Sequence, residues 1–196
     1  MLRFHTIGHS NHAPDKFLGL LRAYNIQVVV DTRSSPHSKY VPHFDREALK
    51  PALTAAGIRY LFLGDAIGGR PADPASYDPQ GRVLYSAVAK SPTFLEGITR
   101  LETGAQQFTV ALLCGEEDPT HCHRRLLISR VLIERGAEII HIRGDSTTQS
   151  EPELAAQSNK PLTQPQPALF AELNEAKWRS TASVSRKNPP PSSSPR

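Results

Sequence analysis

The stretch Leu112-Leu113-Cys114-Gly115-Glu116-Glu117-Asp118-Pro119-Thr120-His121-Cys122-His123-Arg124-Arg125 gathers thiol, imidazole, carboxylate and guanidinium groups within fourteen residues. An ionised thiol is a nucleophile and a soft metal ligand, and an imidazole moves protons near neutral pH. Cys122 and His123 stand where a strand-loop-helix pattern begins its helix, so free backbone N–H groups there favour a thiolate or an anion. Arg124 or Arg125 adds positive charge, while Glu116, Glu117 and Asp118 oppose it. Cys122 or Cys114 is therefore the candidate nucleophile, with Cys122 placed first, Glu116 a candidate acid or base, His123 a candidate proton carrier or substrate ligand, and Arg124 a candidate substrate ligand. Cys114, at a strand end, is read as a packed thiol. The two cysteines are separated by seven residues, which is neither the C-x-x-C redox spacing nor a C-x5-R phosphate loop. Cys114, Cys122 and His123 also form an alternative metal set, short of the four ligands that a structural zinc site normally needs.

Three other segments carry reactive types. Gly8-His9-Ser10-Asn11 offers an imidazole that could carry protons. Asp31-Thr32-Arg33-Ser34 offers a carboxylate for acid or base work beside a guanidinium. Gly68-Gly69-Arg70-Pro71 pairs a second guanidinium with glycines that let backbone approach a ligand. Arg33 and Arg70 would hold an anion through paired charge-assisted bonds, with Gly69 beside them. Each also has a plainer use: Arg33 and Arg70 as salt bridges that fasten loops, Asp31 as a loop-bonding carboxylate, His9 as a backbone-bonded ring. Ser34 to Phe44 mixes hydroxyls, imidazoles and Tyr40, as a nucleotide or single-stranded nucleic-acid site does, or as a loop anchored by its aromatics does.

What must position these groups is a β-α alternation. Phe4–Ile7, Gln27–Asp31, Ile58–Leu63, Phe108–Cys114 and Glu138–Ile142 read as strands. Pro14–Tyr24, Arg46–Ala56 with Asp45 as cap, Ser91–Leu101 and His123–Glu134 read as helices. Gly64–Lys90, rich in Gly and Pro, reads as a functional loop. Val28-Val29-Val30 is apolar on both faces, the pattern of a central parallel strand. The predicted fold is a single α/β domain of about five mainly parallel strands with helices on both faces, Rossmann-like or flavodoxin-like in layout. Ligands of such sheets sit beyond the carboxyl ends of the strands, where all four segments above fall.

The 196 residues include 38% hydrophobic and 21% charged residues, which excludes collagen-like, coiled-coil and wholly disordered chains. No apolar run approaches the roughly 20 residues that cross a bilayer, the start lacks a signal-peptide pattern, and a cytoplasmic protein without a membrane partner is the expectation. A net charge of +4 permits an acidic partner without selecting one. Residues 1–144 carry nine prolines and the last 52 carry eight, so 1–144 is read as the domain and 145–196 as a largely disordered tail, with a short helix at 168–178. Every histidine and both cysteines precede residue 142.

Thr6-Ile7-Gly8-His9-Ser10, Val30-Asp31-Thr32-Arg33-Ser34-Ser35-Pro36, Leu63-Gly64 with Gly68-Gly69-Arg70-Pro71, and Leu113-Cys114-Gly115-Glu116 with Cys122-His123-Arg124 occur in this order. In these motifs the chain resembles the bacterial family catalogued as domain of unknown function family 488, over residues 3–143. The resemblance implies a compact α/β domain with a polar site containing Cys and Arg, and it implies no reaction. The leading functional expectation is an enzyme acting at the strand-end cleft on an anionic substrate that bears phosphate, such as a nucleotide or nucleic acid. The alternatives are a non-catalytic nucleotide or nucleic-acid binding module, and a thiol-redox or metal-binding protein using Cys114 and Cys122. No complete Gly-x-Gly-x-x-Gly or phosphate loop occurs, so a tightly held dinucleotide or nucleoside triphosphate is not expected as a cofactor.

Overall fold

Three consecutive β-branched residues, each hidden from water, identify the centre of the sheet: Val28, Val29 and Val30 are all buried. They belong to β2 (Val28–Asp31), beside β3 (Arg59–Phe62) and β4 (Val110–Cys114); β1 (Arg3–Gly8), β5 (Glu138–Ile142) and β6 (Thr148–Ser150) complete the sheet. The computed structural model describes residues 1–159, 162 and 178–184. The strand order is β3-β2-β4-β1-β5-β6, parallel throughout except for the β5–β6 pair. The sixth strand, antiparallel at the edge, is an addition to the five expected.

Helices cover both faces. On one, α1 (Pro14–Ala23) and α2 (Arg46–Ala55) pack Phe17, Leu21, Leu49 and Leu53 on Ile7, Val29, Ala111 and Leu113. On the other, α5 (Pro92–Ala105) and α6 (Arg130–Glu134) pack Phe94, Ile98, Val131 and Leu132 on Phe4, Val28, Val30 and Leu112. The helix after β4 therefore leaves to the face opposite those after β1 and β2. Diverging connections open a crevice at the carboxyl ends of neighbouring strands, here β2, β4 and β1.

Several local expectations change. Asp45 precedes α2 but makes no side-chain cap bond; its carboxylate instead accepts from the Ser38 N–H at 2.6 Å and pairs with His37. The loop from Gly64 to Lys90 contains α3 (Gly64–Ile67) and α4 (Tyr85–Val88). The helix read from His123 opens as one π-helical segment, Arg124–Ser129, before α6. Among the described residues no helix is long and apolar enough to cross a membrane.

The expected boundary at residue 144 also moves, because β6 runs into α7 (Glu151–Ser158), whose start has a reciprocal capping box between Ser150 and Glu153. Helix α7 is fastened by a buried chain of bonds. Arg125 donates to Glu151 at 2.6 and 3.0 Å, and His141 Nε2 lies 2.9 Å from the same carboxylate. Burial above all holds the His141 imidazole neutral, below its ordinary pKa of 6.5, so Nε2–H donates to Glu151 while Nδ1 accepts from the Thr6 hydroxyl at 2.8 Å. Glu151→Gln removes the carboxylate charge that the fully buried Arg125 donates to. A loss of ~3 kcal/mol in a urea unfolding experiment is expected, and an unchanged midpoint would refute this role.

Residues 178–184, within the expected tail, also pack on the domain. Trp178 Nε1–H donates to the Leu126 carbonyl at 2.7 Å, its ring lies under the Arg130 guanidinium, and Arg179 pairs with Asp78 at 3.1 Å. Of the helix expected at 168–178, residues 168–177 lie outside the described residues.

Candidate active site

Strand pairing carries the loops together. Beyond β1, His9 N–H and Ser10 N–H donate to the carbonyls of Cys114 and Gly115; beyond β2, Thr32 donates to Leu113. The β1 and β4 loops meet because Gly8 has no side chain: a Cβ there would lie 1.8 Å from the Glu116 carbonyl oxygen. Around these loops opens a cavity of about 630 Å3, walled by His9, Arg33, Gly69, Arg70, Cys114, Glu116 and His123, with Ser180, Thr181 and Ala182 at one side.

Cys114 is the last residue of β4 and shares the parity of Val110 and Leu112, so its sulfur lies on the α5–α6 side and borders the cavity. Cys122 is 1% exposed and sits behind it, with 3.1 Å between the sulfurs and the Cys122 S–H donating. His123 completes the group, its Nδ1 3.6 Å from the Cys114 sulfur. Its Nε2 lies 3.1 Å from the Thr32 carbonyl, an acceptor only, so Nε2 carries a proton and Nδ1 faces the sulfur. Gly69 sits against this ring; a Cβ there would lie 2.7 Å from the imidazole.

The electrostatics separate the two thiols. The hydrogen bond from Cys122, with the nearby charges of His123 and Arg124, holds the Cys114 thiol well below its ordinary pKa of 9.0 despite burial. Burial, and then the Cys114 charge, push the Cys122 thiol up. Burial disfavours a charged His123, but the Cys114 sulfur and the Thr32 carbonyl outweigh it and raise its pKa above 6.5. The arrangement favours a Cys114 thiolate beside a His123 imidazolium.

The sequence offers either cysteine as nucleophile and places Cys122 first; the thiol that borders the cavity is Cys114, at the carboxyl end of β4. Asp31 is fully buried and away from the cavity wall. Its two oxygens accept from Arg33 Nε at 2.9 Å, Arg33 Nη2 at 2.6 Å and the Tyr60 hydroxyl at 2.8 Å, so it acts as a counter-charge. Arg33 reaches the wall but is tied to Asp31, to the Phe44 carbonyl at 2.8 Å and to His9 Nε2 at 3.0 Å. His9 donates from Nδ1 to the Ser10 carbonyl at 2.8 Å and accepts from Arg33 at Nε2. Burial also keeps its pKa below 6.5, so this ring forms a neutral wall with no free nitrogen.

Arg124 is 1% exposed and does not border the cavity. Its guanidinium donates to the Glu116 and Glu117 carbonyls and lies 3.7 Å from the Cys122 sulfur, so it shapes the loop between the two thiols. Glu116 and Arg70 are exposed on the cavity wall. Among the described residues no carboxylate pairs with the Arg70 guanidinium; the Arg70 N–H alone is held, by the Ser34 hydroxyl at 2.9 Å. The sequence reading gave no weight to the Thr32 carbonyl or to residues 180–182, for which no residue-type signal exists.

No curated protein and no solved structure matches the chain. The match that is found begins after β1 and covers the Asp-Thr-Arg, Gly-Gly-Arg and Cys-to-Cys-His-Arg segments just described. By that match, over residues 13–131, the chain belongs to the family described as domain of unknown function DUF488.

Proposed function

We propose that this chain is an enzyme that acts on an anionic, phosphate-bearing substrate through nucleophilic attack by Cys114. The observation that carries the reading is that one cavity holds the Cys114 sulfur, the His123 ring and the Arg70 guanidinium, which has no carboxylate partner among the described residues. Arg70 binds the phosphate as a bidentate fork. The Cys114 thiolate forms a bond to the electrophilic atom of the substrate while the bond to the leaving group breaks, and the leaving group takes the Nδ1 proton of His123. Water then attacks the same atom, gives a proton back to His123, and releases the Cys114 thiolate. The Thr32 carbonyl orients the ring throughout, and Arg33, locked to Asp31, lends positive charge to the wall.

The test is a thermal-shift and turnover screen of phosphorylated compounds, nucleotides and oligonucleotides. A ligand present at about 100 times its Kd stabilises the native state by ~2.7 kcal/mol. That shift is expected to shrink in Arg70→Ala, and turnover is expected to vanish in Cys114→Ser while binding persists. Binding without turnover in the wild type would favour the non-catalytic module, and a shift indifferent to Arg70 would overturn the anion site.

A second reading is favoured by one observation: the ligand atoms of Cys114, Cys122 and His123 all lie within 4.8 Å of one another. A ring whose other nitrogen is bonded to a backbone carbonyl is typical of a metal ligand. The two readings compete for the same lone pairs. Metal analysis of the purified protein separates them: stoichiometric zinc lost in Cys122→Ala supports the metal centre, and metal-free protein with a reactive Cys114 supports the thiolate.

A further inference from the structure

The catalytic reading leaves Cys122 without a chemical task, yet this second thiol lies directly behind the first. We propose that Cys114 and Cys122 form a peroxide-sensitive pair, in which Cys114 is the site of oxidation and Cys122 resolves it to a reversible disulfide. The inference rests on the reading of Cys114 as the cavity-facing thiolate and adds a modification of that same site.

The geometry supplies the parts. The Cys114 sulfur borders a cavity of about 630 Å3, ample for a molecule with two heavy atoms, whereas Cys122 is 1% exposed and shielded from direct attack. The sulfurs are 3.1 Å apart, so an S–S bond requires an approach of about 1 Å. The connecting residues 115–121 form a loop without strand or helix, and Glu116, Asp118 and His121 on it are exposed. The Arg124 guanidinium, 3.7 Å from the Cys122 sulfur, stabilises negative charge there when Cys122 attacks.

The chemistry balances with a hydroperoxide as the oxidant. The Cys114 thiolate attacks one peroxide oxygen, the O–O bond breaks, and sulfur gives up two electrons. Cys114 becomes a sulfenic acid, and the departing hydroxide takes the His123 Nδ1 proton to leave as water. The Cys122 sulfur then attacks the sulfenic sulfur, an S–S bond forms, and the sulfenic oxygen leaves as a second water with the Cys122 proton. An external dithiol reverses the bond by exchange. While oxidised, Cys114 is no longer a thiolate and cannot attack substrate, and the disulfide prevents its further, irreversible oxidation.

The test treats the purified full-length chain with one equivalent of hydrogen peroxide and reads intact mass and peptide maps. The wild type is expected to lose about 2 Da and yield a Cys114–Cys122 crosslink that dithiothreitol reverses. Cys122→Ser keeps a donor to Cys114 and is expected to accumulate sulfenic acid on Cys114, trapped by dimedone; Cys114→Ser is expected to leave Cys122 unmodified. Sulfinic acid accumulating as fast in wild type as in Cys122→Ser would overturn the pair. A control labels Cys114 with iodoacetamide at neutral pH. Labelling without a crosslink defeats this inference and spares the nucleophile reading, whereas a Cys114 inert to both reagents defeats both.

Discussion

At pH 7, iodoacetamide is expected to alkylate Cys114 and leave Cys122 intact, at a rate on the order of ten times that of an unperturbed thiol. Only the thiolate reacts. Cys114 is held below the ordinary thiol pKa by the Cys122 hydrogen bond and by His123, and Cys122 is pushed above it by burial. Labelling therefore persists on the acid side of pH 9, where an ordinary thiol has taken up its proton, and declines only as pH falls through the lowered Cys114 value. His123→Ala removes the ring whose Nδ1 faces the sulfur, so the decline is expected to move to higher pH and the rate at pH 7 to drop roughly ten-fold. Peptide mapping after timed labelling across pH measures both effects. Equal labelling of the two cysteines, or a profile indifferent to His123, would refute the ion pair.

The largest stability effect is expected at Asp31. This carboxylate is fully buried, and it accepts from Arg33 through Nε and Nη2 and from Tyr60. Asp31→Ala leaves a guanidinium that is only 8% exposed without its counter-charge, a change that costs ~3–5 kcal/mol and lowers Tm by on the order of 10 °C. Arg70→Ala, on the exposed wall with no carboxylate partner among the described residues, is expected to change stability by less than about 0.5 kcal/mol. Paired thermal melts distinguish the two arginine environments. Equal, small shifts at both positions would show that the Asp31–Arg33 pair does not organise the loop.

Legibility from sequence differs by residue. The parallel sheet is readable in the apolar β2 triplet and the β-α alternation, and the strand-end rule brings His9, Arg33, Arg70 and Cys114 to one place. Parity is the harder matter: which sulfur borders the cavity depends on Cys114 falling in step with Leu112, and its significance emerges only once the neighbouring strands are in register. The pairing of Arg33 with Asp31 is one of the two uses the sequence offers for this arginine, and it is left unselected there for a different reason. It requires Phe44 and Tyr60, distant in sequence, to close around it. Strand β6 has three polar or hydroxylated residues and no apolar alternation, so only the Ser150–Glu153 box signals that helix α7 extends the domain past residue 144.

The segment 178–184 lies outside the span shared with the family and still supplies one side of the cavity through Ser180, Thr181 and Ala182. Its anchors are Trp178, Arg179 and the backbone bond from Ser180 to Val83, none of which touches the sulfur pair. The thiols, His123 and Arg70 thus lie on the family span, and this wall is added from outside it. On the proposed reading, substitutions at Thr181 and Ala182 alter which molecule enters the cavity and leave the sulfur pair of β4 and its loop in place.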